Sequence, residues 1–141
     1  MGTTIYGRAI IPGQAQGVAL VSGEPLSFWG GYDYRTGTII DQRHPLAGAC
    51  AVGRVLALPF TRGSSTTTAV LLEAVKVGTA PAAILTTAPD SFFALASIVA
   101  DEMYAQPIPL VVLNEEDFTR LQSGQVVSVA ADGRVMVNCE E

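Results

Sequence analysis

The sequence is poor in the groups that most often carry chemistry. It has one histidine, two cysteines, one tryptophan and a single lysine, Lys76, among 141 residues. Cys50, Cys139 and His44 cannot by themselves complete a four-ligand zinc site, and two thiolates fall short of what an iron–sulfur cluster takes. Read from composition, both cysteines are plain thiols, most simply buried ones. Cations are also scarce. Eight Lys and Arg against thirteen Asp and Glu give a net charge of −5, which argues against a nucleic-acid or anionic-membrane surface. No apolar run approaches the roughly 20 residues of a membrane span. No basic segment leads into a signal-like apolar core. These absences predict a cytoplasmic chain with no nucleic acid and no membrane among its partners.

What the sequence does have is apolar residues, 49% of the total, with fourteen glycines and eight prolines as punctuation. That is enough for one domain over residues 1–141 with a substantial core. Thr3 to Ile11 and Gly17 to Ser22 read as strands. Glu24 to Asp41 looks irregular, broken by Pro25, Gly30, Gly31 and Gly37, with room for a short strand over Gly37 to Ile40. Gly53 to Leu58 is a continuous apolar run and reads as a buried strand. A helix bearing Ala69, Leu72, Val75 and Lys76 ends at Gly78. Ala82 to Thr86 is a strand. Asp90 or Ser91 caps a helix to about Met103, offering Phe93, Leu95, Ile98 and Val99 to the core. Ile108 to Leu113 is a strand, and Asn114 caps a short helix. Gln125 to Ala130 and Arg134 to Asn138 form a hairpin about Asp132-Gly133. The middle block requires crossover helices and therefore parallel strands. The expectation is a layered α/β domain with helices on one side and flanking strands closing a second sheet or barrel.

One stretch invites a chemical reading: PFTRGSSTTTAVLLE, Pro59 to Glu73, where five consecutive hydroxyl residues follow Arg62 and Gly63. A strand delivers the chain here and a helix begins near Ser64 or Ser65. The unpaired amides of a helix start favour negative charge. Gly63 permits close backbone approach, and Arg62 adds a fixed cation suited to a carboxylate or phosphate. Ser and Thr are also ordinary helix caps. No phosphate-loop GK[ST] and no GxSxG elbow is present. A serine acts as a proton-transfer base only if its oxyanion is stabilised and water is excluded.

Four segments in order, EPLSFWGGYD, DQRHPLAG, RGSST and GTAPAAI, resemble the small subunit of the aconitase X family, over roughly Gly17 to Leu113. The resemblance implies an α/β, three-layer β/β/α swivelling domain, barrel-like, as in aconitases. It implies a hydro-lyase active only with a large subunit, which carries the iron–sulfur cluster; this chain would bind no cofactor or metal alone. Gly63-Ser64-Ser65 is similar to the start of the GSSR motif of aconitases, where a serine removes a proton and the arginine grips a substrate carboxylate. On that likeness Ser64 is the catalytic base, and Arg62, Gly63, Ser65 and Thr66 bind a small acidic substrate. Thr66 stands where the motif has arginine, which departs from tricarboxylate recognition. The family's activities point to dehydration of cis-3-hydroxy-L-proline, with mevalonate 5-phosphate as the alternative and metal-assisted loss of the hydroxyl in either case. A non-catalytic module that captures a small anion, or a structural domain in which RGSST is only a cap, are readings of another class.

Other residues carry two readings. Trp29, in Ser27 to Gly31, is either a core aromatic beside a tight turn or an anchor for the large subunit, with Tyr32 and Tyr34 nearby. His44 before Pro45 is a satisfied turn residue or reaches the shared site with Arg43. Asp33 and Asp41 are solvated loop charges, or a carboxylate pair. Glu73 and Lys76 suit an exposed pair of small effect. A mean hydropathy of +0.37 fits either a dense core or an apolar surface awaiting a partner.

Overall fold

The computed structural model describes residues 2–60 and 66–138. In chain order the elements are β1 (Gly2–Tyr6), β2 (Arg8–Ile11), β3 (Ala15–Val21), β4 (Tyr32–Asp33), β5 (Thr38–Ile39), β6 (Val55–Ala57), α1 (Thr66–Val77), β7 (Ala83–Thr86), α2 (Ser91–Tyr104), β8 (Leu110–Val112), α3 (Glu115–Phe118), β9 (Val126–Val129) and β10 (Arg134–Asn138). Eight strands form one sheet in the order β1-β10-β9-β3-β6-β7-β8-β2, and β4 pairs with β5 alone.

β3 is the hinge of this sheet. Its first half, Ala15 to Val18, pairs antiparallel with β9, while Ala19 to Val21 pair parallel with β6. The parallel run continues through β7 and β8. Each crossover from β6 to β7 to β8 carries one helix, as parallel neighbours require. The strand interiors are apolar on both sides because both faces are covered. Leu20, Leu56, Ile84 and Leu110 face α1 and α2. Their neighbours Ala19, Val55, Ala57, Ala83, Leu85 and Val111 face a second cluster built with Ile5, Phe118, Val127, Val129, Val135 and Val137. The alternation of period two thus sorts side chains into two cores, and the layers run helices, parallel strands, antiparallel strands. This is the expected β/β/α arrangement.

The two edge strands of the sheet are consecutive in the chain and joined only by Gly7. A Cβ on Gly7 would lie 2.5 Å from Val111 Cγ1, and its amide donates to the carbonyl of Gly133 at 3.1 Å. Thr3 to Ile11, expected as one strand, is therefore two that diverge to opposite edges. The fold is barrel-like in this sense, but no ladder closes it into a barrel among the described residues.

Two helix faces differ from expectation. In α2 the core face is Phe93, Ala96, Ser97 and Ala100, while Leu95 and Ile98 are 48% and 52% exposed. Small residues face inward because α2 packs closely on α1, and Ser97 Oγ donates to and accepts from the backbone of Ile108. In α1 the buried face is Thr67, Thr68, Val70, Leu71, Ala74 and Val75, and Ala69 and Lys76 are exposed. No helix among the described residues is long and apolar enough to cross a membrane.

Candidate functional site

Because β3, β6, β7 and β8 are parallel, their carboxyl ends share one edge, and α1, α2 and α3 set out from it. Three helix starts and their partial positive charge converge there, at the usual binding edge of an open parallel sheet. Short bonds tie the loops of this edge together. The amide of Ser22 donates to Ala57 O at 3.0 Å, Leu58 to Leu85 O at 3.0 Å, and Leu113 to Thr86 O at 2.8 Å. Pro59 O accepts both from the amide of Thr87, at 3.1 Å, and from its hydroxyl, at 3.2 Å. Asp90 caps α2 by accepting from the amides of Phe92 and Phe93 at 3.1 and 3.2 Å. Asn114 caps α3 by accepting from Asp117 at 2.7 Å.

Arg62, Gly63, Ser64 and Ser65 lie outside the described residues, as does Thr61. The chain is described up to Phe60, exposed just after β6, and again from Thr66, the half-buried first residue of α1. The later hydroxyls of the run serve packing. Thr67 is buried, and Thr68 Oγ1 donates to Phe92 O at 3.1 Å, fastening the first turn of α1 to the first turn of α2.

The segment after β3 is ordered in a way its composition did not suggest. Leu26, Phe28, Tyr32, Ile39 and Ala51 all enter the helix-side core. Phe28 is 0% exposed, stacks on Tyr32 with ring centroids 5.1 Å apart and meets Phe93 edge-on at 5.5 Å. Trp29, the next residue, is 71% exposed. The core aromatic is thus Phe28, and the tryptophan is displayed. Tyr32 Oη donates to Thr79 O at 2.8 Å. Burial, and secondarily the nearby Cys50, hold its phenol proton well above the ordinary range.

His44 is 7% exposed, and both its nitrogens are engaged. Nδ1 accepts from the amide of Leu46 at 3.1 Å, which leaves Nε2–H to donate to Glu24 O at 3.2 Å. It is a satisfied turn residue that also lines a cleft of about 260 Å³ with Glu24, Pro25, Ser27, Asp41 and Arg43. Asp33 and Asp41 hold their own turns, accepting from the amides of Arg35 and Arg43, each at 3.0 Å. Cys50, expected to be buried, is exposed and a free thiol; Cys139 lies outside the described residues. Among the described residues no three His, Cys, Asp or Glu side chains converge as a ligand set. The donors described here do not fit an iron–sulfur cluster.

Sequence reasoning gave no role at this edge to the loop after β7, residues 87–89, or to Thr86 beyond ending the strand. Thr86 is fully buried with its hydroxyl on Ala88 O at 2.8 Å. The signal was available: parallel strands of similar length bring every β-to-α loop to one end.

The aconitase X swivel-domain profile matches residues 4–137. The chain belongs to the aconitase X swivel-domain family. The swivel domain is 46% identical over 111 residues to the cis-3-hydroxy-L-proline dehydratase of Pseudomonas aeruginosa, covering 79% of this chain and 19% of that protein. It is 40% identical over 126 residues to the phosphomevalonate dehydratase small subunit of Methanothermobacter thermautotrophicus, covering 89% of this chain and 92% of that one. The crystal structure of Thermococcus kodakaraensis aconitase X in its holo-form superposes with a TM-score of 0.85 at 32% identity, over 96% of this chain and 98% of that chain. The swivel domain thus spans about a fifth of the length of the hydroxyproline dehydratases it matches, 19% and 21%.

Proposed function

We propose that this swivel domain, a single unit over residues 1–141, is the small subunit of an aconitase X-type dehydratase. It works together with a large subunit and contributes the proton-accepting group, Ser64. The supporting observation is the shared carboxyl edge: the RGSS segment connects the end of β6 to the start of α1 in sequence, and the loops after β3, β7 and β8 are bonded together beside those ends. In the reaction a carbon–hydrogen bond and the neighbouring carbon–oxygen bond of a hydroxy acid break, a double bond forms, and the elements of water leave. Ser64 takes the proton. A free hydroxyl is too poor a base for this, so Arg62 and the amides opening α1 favour the oxyanion and hold the substrate's acidic group. Gly63, Ser65 and Thr66 complete the grip on a small acidic molecule. The iron–sulfur cluster implied by the family likeness is assigned to the large subunit, because the two cysteines of this chain fall short of a cluster's ligands. The working location is the cytoplasm.

The favoured substrate is cis-3-hydroxy-L-proline, on the identity to the Pseudomonas enzyme. A second reading, mevalonate 5-phosphate, is supported by alignment along 92% of the Methanothermobacter small subunit and 98% of a Thermococcus sibiricus one. The test is reconstitution with the large subunit and assay of both substrates. Ser64→Ala should abolish turnover and leave assembly intact. Turnover near wild type would remove the base assignment, and a stability loss of only about 1 kcal/mol with full activity would reduce Ser64 to a helix cap.

A further inference from the structure

Phe28 and Trp29 are adjacent aromatics with opposite fates, and the backbone fixes them that way. Phe28 O accepts from the amides of Gly31 and Tyr32 at 3.3 and 3.2 Å, and Ser27 Oγ donates to Trp29 O at 3.3 Å. Gly30 sits at φ +77, a conformation that favours glycine, and a Cβ on Gly31 would lie 2.1 Å from Ser27 O. The turn is therefore tight and nailed down by Phe28, yet it presents an indole to solvent. A buried ring at the base with an exposed ring at the tip is the anatomy of an interface anchor, and holding the tip rigid reduces the ordering cost of binding.

Its place in the fold says which partner. Phe28 touches Phe93 in the first turn of α2, and the same turn is bonded through Phe92 O to Thr68 in the first turn of α1. The turn that carries Trp29 is thus rooted, through Phe28, beside the bonded starts of α2 and α1, while Tyr32, stacked on Phe28, reaches Thr79 just past the end of α1; Phe60, at the described end of the β6 segment, is also exposed. In the Pseudomonas relative this domain is about a fifth of the chain, so four-fifths of that polypeptide must meet the domain somewhere. A proton-accepting serine, two positions before Thr66 in the sequence, needs water excluded around it. We propose that Trp29 is a docking anchor for the large subunit of the dehydratase and seats it over the start of α1; this rests on the function proposed above.

Trp29 is the single tryptophan, so the chain grown with 5-fluorotryptophan gives one fluorine resonance. The titrant is the unlabelled polypeptide of the same host that aligns with the other four-fifths of the Pseudomonas protein. Saturation should shift and broaden that line. Trp29→Ala should weaken association about thirtyfold, as loss of a hot spot does, whereas Tyr6→Ala, which removes an exposed ring from the antiparallel layer, should leave it within about threefold. Ser64→Ala should bind normally and not turn over. An unmoved line in a complex that forms, or Trp29→Ala binding as tightly as wild type, overturns the anchor while leaving the Ser64 assignment standing. A line that shifts with the chain's own concentration instead assigns the surface to self-association and also overturns it. Failure of the wild-type chain to bind overturns both readings, and Ser64→Ala turning over normally overturns only the base.

Discussion

Replacing Phe28 and Trp29 in turn tests the division of labour between them in the isolated chain. Phe28 is 0% exposed and contacts two rings, at 5.1 and 5.5 Å. Phe→Ala at a closed site costs about 3–5 kcal/mol, and loss of two aromatic contacts pulls toward the upper end of that range. With a urea slope of about 2 kcal/mol/M, the midpoint falls by about 2 M. Phe28→Leu keeps most of the volume but not the ring geometry and should cost about 1–2 kcal/mol. Trp29→Ala, at 71% exposure, should move the midpoint by less than the equivalent of about 0.5 kcal/mol. Urea unfolding followed by far-ultraviolet circular dichroism reads all three, since that signal does not depend on the tryptophan. Equal losses for Phe28→Ala and Trp29→Ala would refute the assignment of one ring to the core and the other to a partner.

Two further outcomes follow from the edge and its supports. Asp90→Ala removes the acceptor for two amides at the start of α2 and should lower stability by about 1–2 kcal/mol, with Asp90→Asn recovering most of it; a thermal midpoint unchanged in Asp90→Ala would refute the capping role. Tyr32 keeps its proton better when folded than when unfolded, from burial first and Cys50 second, so its contribution is complete below about pH 10 and is lost as pH rises through the folded value. The stability gap between wild type and Tyr32→Phe should therefore be constant below about pH 9 and narrow by about pH 11, and a gap that widens would refute the sign.

Most of the architecture was legible because the strands are short, apolar and bounded by glycine or proline. Val55–Ala57, Ala83–Thr86 and Leu110–Val112 are all present, and each linking helix forced the parallel order. The cap at Asp90 and the turn at Asp132-Gly133 were also explicit. The misreadings have physical causes. The sequence of α2, SFFALASIVADEMY, is apolar nearly all round, so periodicity could not choose a face, and close approach to α1 selected Ala96, Ser97 and Ala100 over the bulkier Leu95 and Ile98. Gly7 inside Thr3 to Ile11 carries no signal distinguishing a kink from a switch between sheet edges; only the crowding by Val111 does that. The glycine-rich run after β3 reads as irregular because its core residues are spaced by turns rather than by a helix or strand period. Of the site, the chemistry proposed for the RGSS segment rests on residue types and family likeness. The display of Trp29 beside a buried Phe28 needed coordinates, since nothing in FWGG says which ring goes inward.

The ladder between β1 and β10 pairs Gly2 with Asn138, positions at opposite ends of the described chain. During synthesis β1 therefore lacks its ladder partner until β10 has emerged from the ribosome. Closing so wide a loop adds little to the entropic cost, which grows only logarithmically with length, but it delays completion of the second core. Nascent chains should hold the helix-bearing half before the antiparallel layer, leaving β1 as an uncapped edge that is a target for chaperones or for a misplaced strand.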